Sequence, residues 1–228
     1  MPKAKNSPKI LVVDVGGTHV KVRVMPGREE RKVDSGPKMT AAKMVRDVKR
    51  MARGWDYDCV SIGFPGPVIQ GRPVHGPHNL GGGWVGFDFV KAFGRPVKLI
   101  NDAAMQALGS YTGGRMLFLG LGTGLGAAMI VDGIVEPMEL AHLPYKNGKT
   151  YEDYVGLRGL ERLGKKRWRH HVAIVVEKFC DAVGAEYVVL GGGNSKFLKK
   201  LPARTRLGDN QNAFVGGVRL WKSDAKRR

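Results

Sequence analysis

Two glycine-rich turns, each set between two strand-like apolar runs, constrain this chain more than any other feature. The first is Asp14-Val15-Gly16-Gly17-Thr18-His19-Val20-Lys21, after the apolar residues 10–13. The second is Gly120-Leu121-Gly122-Thr123-Gly124-Leu125-Gly126, after the apolar residues 116–119. The residues after each turn have strand chemistry, not helix chemistry. A dinucleotide fingerprint must open a helix, whose dipole meets the pyrophosphate, so the strand that follows argues against a Rossmann site. Gly148-Lys149-Thr150 resembles the end of a phosphate-binding P-loop, but the leading glycine would have to be residue 143, which is Leu143. Two strand–turn–strand units can instead wrap a chain of phosphates with backbone N–H groups, which points to phosphoryl transfer.

Periodicity organises the rest. Residues 10–13 and 20–25 read as a hairpin. Over 40–53 the apolar residues Ala41, Met44, Val45, Val48, Met51 and Ala52 share one helical face, with Thr40 as N-cap and Gly54 as stop. Strands are expected at 59–64, ended by Pro65-Gly66-Pro67, and at 97–100, with a helix starting near Asn101-Asp102. Strands at 116–121 and 127–131 flank the second glycine turn, and Asp132-Gly133 closes a tight hairpin. Trp168, Val172, Val175, Val176, Phe179 and Val183 mark a core-facing helix. A strand at 187–190 runs into Gly191-Gly192-Gly193, and 213–221 forms a closing helix. The same β-β-α-β-α order occurs twice. We therefore expect two α/β lobes with a cleft between them: a smaller one over 9–103, completed by the helix at 211–221, and a larger one over 104–210. A basic tail is expected at 222–228.

A chain of 228 residues that is 43% hydrophobic can bury cores of this kind. No apolar run approaches the ~20 residues of a membrane span. The short apolar stretch behind the basic N-terminus is interrupted by Asp14, so a cytoplasmic chain without a signal peptide is expected. Cys59 and Cys180 are the only cysteines, too few for a disulfide framework or a thiolate zinc site, and both are expected to be buried and unreactive. The net charge of +18 attracts polyanions. Lys165, Lys166, Arg167 and Arg169 form one basic cluster, and Lys196, Lys199, Lys200, Arg204 and Arg206 another. Bordering a donor site, they would form a track for a phosphate polymer; otherwise they are a solvated face. Nucleic-acid binding lacks interleaved aromatics, Trp168 being the one candidate and better placed in the helix core. His75, His78, His170 and His171 read as surface or loop residues.

A carboxylate at the end of a buried strand is costly unless it binds something. Asp14 therefore suits Mg²⁺ carried by a phosphate chain, since that ion commonly sits on one or two carboxylates plus phosphate oxygens. Lys21 is either a donor-site charge or a surface lysine. Asn101 and Asp102 are either a helix cap or a polar catalytic pair.

In order along the chain, several motifs resemble the ROK family (repressors, open reading frames, kinases) of the actin-like ATPase superfamily. They are Asp14-Val15-Gly16-Gly17-Thr18 with Lys21, Phe64-Pro65-Gly66-Pro67, Asn79, Asn101-Asp102-Ala103, Gly122-Thr123-Gly124-Leu125-Gly126 and Glu139-Leu140-Ala141-His142. Gly191-Gly192-Gly193 resembles the family's adenosine-end motif. Tyr151-Glu152-Asp153-Tyr154 and Lys165-Lys166-Arg167-Trp168 are similar to the polyphosphate glucokinase branch. The resemblance spans about residues 9–221. It implies a two-lobed, ribonuclease H-like fold with an interlobe cleft. It implies transfer of phosphate to the 6-hydroxyl of a hexose, glucose foremost, from polyphosphate or ATP with Mg²⁺. Asp102 is the implied general base. Gly66, Asn79, Asn101, Asp102, Glu139, His142 and Glu152 are the implied sugar contacts. Asp14, Gly16, Gly17, Thr18, Lys21, Gly122, Thr123, Gly124, Gly191, Gly192 and Gly193 are the implied donor contacts. The alternatives are a strictly ATP-dependent hexokinase and a non-catalytic sugar-binding protein. Kinases of this family are often homodimers.

The chain departs from the family pattern in three places. It lacks the cysteine cluster that holds structural zinc in many members, so no zinc is expected. The few residues ahead of Ile10 leave no room for the helix-turn-helix of the repressors, so DNA is not an expected partner. Ala141 stands where glycine is usual, which bears on sugar affinity.

Overall fold

The computed structural model describes residues 7–209 and 211–222; the expected basic tail therefore lies, Lys222 apart, outside the described residues. The chain divides into two compact units: residues up to Asp102 together with those from Gly217 onward, and Ala103 to Gly216.

The first unit opens with β1 (Ile10–Val15), β2 (His19–Met25) and β3 (Glu30–Asp34). The helix α1 (Ala41–Met51), strand β4 (Cys59–Phe64) and the two-residue strands β5 (Val68–Ile69) and β6 (Arg72–Pro73) come next. The short helix α2 (Phe89–Phe93) and β7 (Val97–Asn101) complete it. The sheet order is β3-β2-β1-β4-β7. β1 is antiparallel to β2, and parallel to β4, which in turn is parallel to β7. Alternation along β1 puts Leu11, Val13 and Val15 on the face that packs against Met44, Val45 and Val48 of α1. Thr40 caps α1, its Oγ1 accepting from the Lys43 amide at 3.2 Å. The opposite face carries Val12, Asp14 and Ser61.

The second unit contains α3 (Asp102–Ser110), counted from Ala103, then β8 (Arg115–Leu121), β9 (Leu125–Val131) and β10 (Ile134–Met138). A small hairpin, β11 (Pro144–Lys146) and β12 (Lys149–Thr150), leads to α4 (Glu152–Val155) and α5 (Leu157–Ala182). β13 (Tyr187–Gly191), β14 (Thr205–Leu207) and α6 (Asn212–Lys222) come after it. The order β10-β9-β8-β13-β14 repeats that of the first sheet, antiparallel hairpins first and parallel pairs after. Leu117, Leu119 and Leu121 of β8 meet Trp168, Val172, Val175, Val176 and Phe179 of α5. The fold class is α/β, and the topology is duplicated, as the two glycine turns suggest.

Some elements differ from the sequence reading. β3 is absent from it because Glu30-Arg31-Lys32-Val33-Asp34 is a charged edge strand with little apolar alternation. α5 starts well before Trp168 and breaks at Gly164, whose φ of 71° and ψ of 160° are not helical. His171 is not a plain surface residue: it is half-buried, and its Nδ1 lies 3.0 Å from the Tyr145 hydroxyl. Among the described residues, no helix is long and apolar enough to cross a membrane.

Candidate active site

In the first unit, the candidate residues gather at the C-terminal edge of the parallel strands, where open α/β sheets bind ligands. Asp14 is the penultimate residue of β1, beside Gly63 of β4. Asn101 ends β7 beside Phe64 of β4, and its Nδ2 donates to the Gly66 carbonyl at 3.1 Å. Asp102 comes at once as the first residue of α3. The Pro65-Gly66-Pro67 turn and the Asn101-Asp102 pair are thereby fastened together, and Asn101 is buried.

The first glycine turn closes between Val15 and Val20, with the Gly16 amide donating to the His19 carbonyl at 2.9 Å. A methyl group on Gly17 would sit 3.7 Å from the Asn79 Cβ, so Asn79 lies against this turn. Thr18 is exposed at the tip. Lys21 is the cross-strand partner of Asp14, so the two side chains share a sheet face. Asp14 is half-buried, and its desolvation raises its pKa above the ordinary carboxylate value, while the positive charge of Lys21 pulls it back. An anion held in this way favours an incoming cation. Among the described residues no three His, Cys, Asp or Glu side chains converge on one point. A site of one carboxylate suits Mg²⁺ that brings its other ligands as phosphate oxygens and water.

In the second unit the two glycine segments expected to meet the donor interlock. The turn Gly122-Thr123-Gly124 closes β8 and β9, with Gly122 N donating to Gly124 O at 3.1 Å. Asn194, just after Gly191-Gly192-Gly193, donates from its amide to Leu121 O at 2.9 Å and from Nδ2 to Gly122 O at 2.8 Å. Gly192 has a φ of +80°, and a Cβ there would lie 2.5 Å from the Leu121 backbone. Only glycine meets both conditions. Asn194 is not among the expected donor contacts; its place directly after three glycines was the available signal.

Glu152, an expected sugar contact, lies against the second glycine turn. Its Oε2 accepts from the Leu125 amide at 3.2 Å, and its Oε1 pairs with Arg158 at 3.1 Å. The carboxylate thus buttresses the glycine turn. The Glu152 amide donates to Ala141 O at 3.0 Å, which ties it to the Glu139-Leu140-Ala141-His142 segment. Glu139 and His142 are exposed on either side of buried Ala141. Glu152 is therefore the link between that segment and the glycine turn.

The sequence pattern of the ROK family matches residues 10–136, more than half of the chain. This protein is a ROK family member. It is 31% identical over 134 residues to a glucokinase of Pyrobaculum calidifontis, covering 56% of this chain and 45% of that one. To a polyphosphate glucokinase of Mycobacterium leprae it is 27% identical over 173 residues, covering 69% and 52%. The ROK chain thus spans about half the length of the curated relatives it matches. Among solved structures it is similar to an inorganic polyphosphate/ATP-glucomannokinase from Arthrobacter sp. strain KM, with a TM-score of 0.78, 25% identity and coverage of 96% of this chain and 100% of that one. The fold is the α/β actin-like ATPase type of ROK sugar kinases.

The basic clusters separate on the ROK fold. Lys165 and Lys196 place their Nζ atoms 4.7 and 5.1 Å from the Phe197 ring centroid, and Arg169 Nε donates to Phe197 O at 2.6 Å. These cations sit just past Asn194. Arg204 and Arg206 do not join them. Arg204 pairs with Asp181 at 2.7 Å, and Arg206 is bound to the Ser110 carbonyl. Both belong with the opposite end of β13, because Arg204 O accepts from the Val188 amide.

Proposed function

We propose that this protein phosphorylates the 6-hydroxyl of a hexose, glucose foremost, from a phosphate-chain donor with Mg²⁺. The observation that supports it best is the duplicated edge: Asp14, Gly66, Asn101 and Asp102 at the C-terminal edge of one sheet, and interlocked glycine turns at the same edge of the other. The names of its relatives point the same way.

In this reading Asp102 takes the hydroxyl proton as the new O–P bond forms and the bridging P–O bond of the donor breaks; the shortened donor leaves with the electron pair. Asn101, held by Gly66, orients the sugar with Asn79, Glu139 and His142. Glu152 acts by shaping the Gly122-Thr123-Gly124 turn. Gly16, Gly17, Thr18, Gly122, Thr123, Gly124, Gly191, Gly192 and Gly193 border the donor phosphates; the Gly16 and Gly122 amides close their own turns, the other residues of the two turns offer backbone N–H groups, and Lys21 adds charge. Asp14 holds Mg²⁺ through phosphate or water; when bound, the ion neutralises the charge on the transferring phosphoryl group. The rest of catalysis is positioning.

Polyphosphate is the favoured donor, because Lys165, Arg169 and Lys196 gather positive charge around Phe197, three residues after the Asn194 clasp on the glycine turn. The test is turnover of glucose and Mg²⁺ with polyphosphate and with ATP in separate assays. Exclusive use of ATP overturns the donor assignment; no turnover with either overturns the kinase reading.

A further inference from the structure

Helix α1 carries a stripe of cations that the catalytic reading does not use. Its buried face is Ala41, Met44, Val45 and Val48, while Arg46, Lys49, Arg50 and, just past its end, Arg53 are exposed. These four line a groove of about 570 Å³ whose floor includes Phe87 and Ala92. Arg46 with Arg50, and Lys49 with Arg53, are like charges at i,i+4, an arrangement that weakens a helix. The helix dipole favours Lys49 and Arg50 in the last turn but not Arg46. The one acid of the helix, Asp47, is buried and already holds Lys43 and Arg50. Lys49 reaches the Ala92 carbonyl at 3.1 Å across the groove, which fixes its ammonium there.

The N-terminal end of α1, ahead of the stripe, lies near the candidate site. Met39, next to the Thr40 cap, accepts from the Gly81 amide at 3.0 Å, and Asn79, two residues before Gly81, lies against the first glycine turn. From there α1 leads away, and at 1.5 Å rise per residue Arg46 and Arg53 stand about 10 Å apart along it.

We propose that this groove is a second anchor for inorganic polyphosphate, binding the distal part of a long chain whose end lies at the glycine turns. The proposal rests on polyphosphate serving as the donor. A repeating anion needs only a row of positive charges. A nucleic acid would also use aromatic faces for its bases, and the two aromatics nearby are taken. The Phe87 ring lies 4.8 Å from Phe89, and Trp55 lies under the Arg31 guanidinium at 4.1 Å. A second anchor raises apparent affinity through effective concentration, and only for chains long enough to engage both sites.

The test compares the parent with the double variant Arg46→Glu/Arg53→Glu, using long-chain polyphosphate, tripolyphosphate and ATP as donors. The variant is expected to raise KM for long-chain polyphosphate about tenfold, with kcat, and both constants for the short donors, unchanged. Arg46→Lys/Arg53→Lys should restore the parent value. Equilibrium retention of long-chain polyphosphate by the sugar-free protein is measured alongside. If the parent turns over ATP alone, the donor reading fails, and retention by parent against variant still decides the anchor. Unchanged retention and unchanged long-chain KM overturn the proposal. So does loss of binding to duplex RNA at physiological salt with polyphosphate binding intact.

Discussion

At the scale of single residues, Asp102 and Asp14 carry opposite expectations. Asp102→Asn removes the proposed proton acceptor while keeping its size and polarity. Turnover should fall by about 10²–10⁴, with sugar binding by calorimetry largely retained; near-parental kcat would refute the base assignment. Asp14 is a case of function opposed to stability. Burial raises its pKa in the folded chain above the unfolded value of about 3.9. The ionised form therefore weakens folding: the penalty is absent below the unfolded pKa and grows as pH rises toward the folded one. Asp14→Asn should abolish activity yet melt at a higher temperature at pH 7, with a smaller gain at pH 4. An equal gain at both would show that desolvation of the carboxylate is not the cause. Cys59 is buried, its thiol pushed up to about 11, so thiol reagents at pH 8 should leave it untouched in the folded protein.

Elements explain which parts of this site could be read from sequence. The glycine turns, the Thr40 cap and the Asn101-Asp102 junction declare themselves locally, because turn and cap chemistry is a property of adjacent residues. The placement of Glu152 under Gly124 is not local: it arises from α4 packing beneath a hairpin closed nearly thirty residues earlier. The same holds for Arg204 and Arg206, which adjoin Lys199 and Lys200 in sequence but are carried to the far end of β13 by the parallel register of β14. Strand register, and not composition, decides which basic residues gather near Phe197 and which lie at the other end of β13. The Asn194 clasp makes an element-level prediction. Asn194→Ala frees the Gly122 carbonyl and loosens two loops at once, so KM for the phosphate donor should rise while KM for the sugar stays put. A matching rise in both would point to general unfolding. The α3–α6 crossing is tighter still. A Cβ on Gly216 would lie 1.8 Å from the Met105 carbonyl oxygen, so Gly216→Ala should cost about 3 kcal/mol or more in urea unfolding.

At the scale of the molecule, the charge of +18 sets how any polyanion meets this protein. KM for long-chain polyphosphate should climb steeply with salt, and that for ATP much less, because a polymer engages many cations at once. Parallel salt profiles for the two donors would remove the case for an extended track.

The border between the two compact units falls inside α6, whose final turns belong to the N-terminal one. The Ser61 hydroxyl donates to the Gly217 carbonyl at 2.7 Å, Lys98 reaches Leu220 O at 2.8 Å, and Gly217 fits against Val12. Val12, Ser61 and Lys98 of the N-terminal unit therefore take their cover from residues more than a hundred positions further along the chain. That part of the earlier half is closed only once the later half has been made.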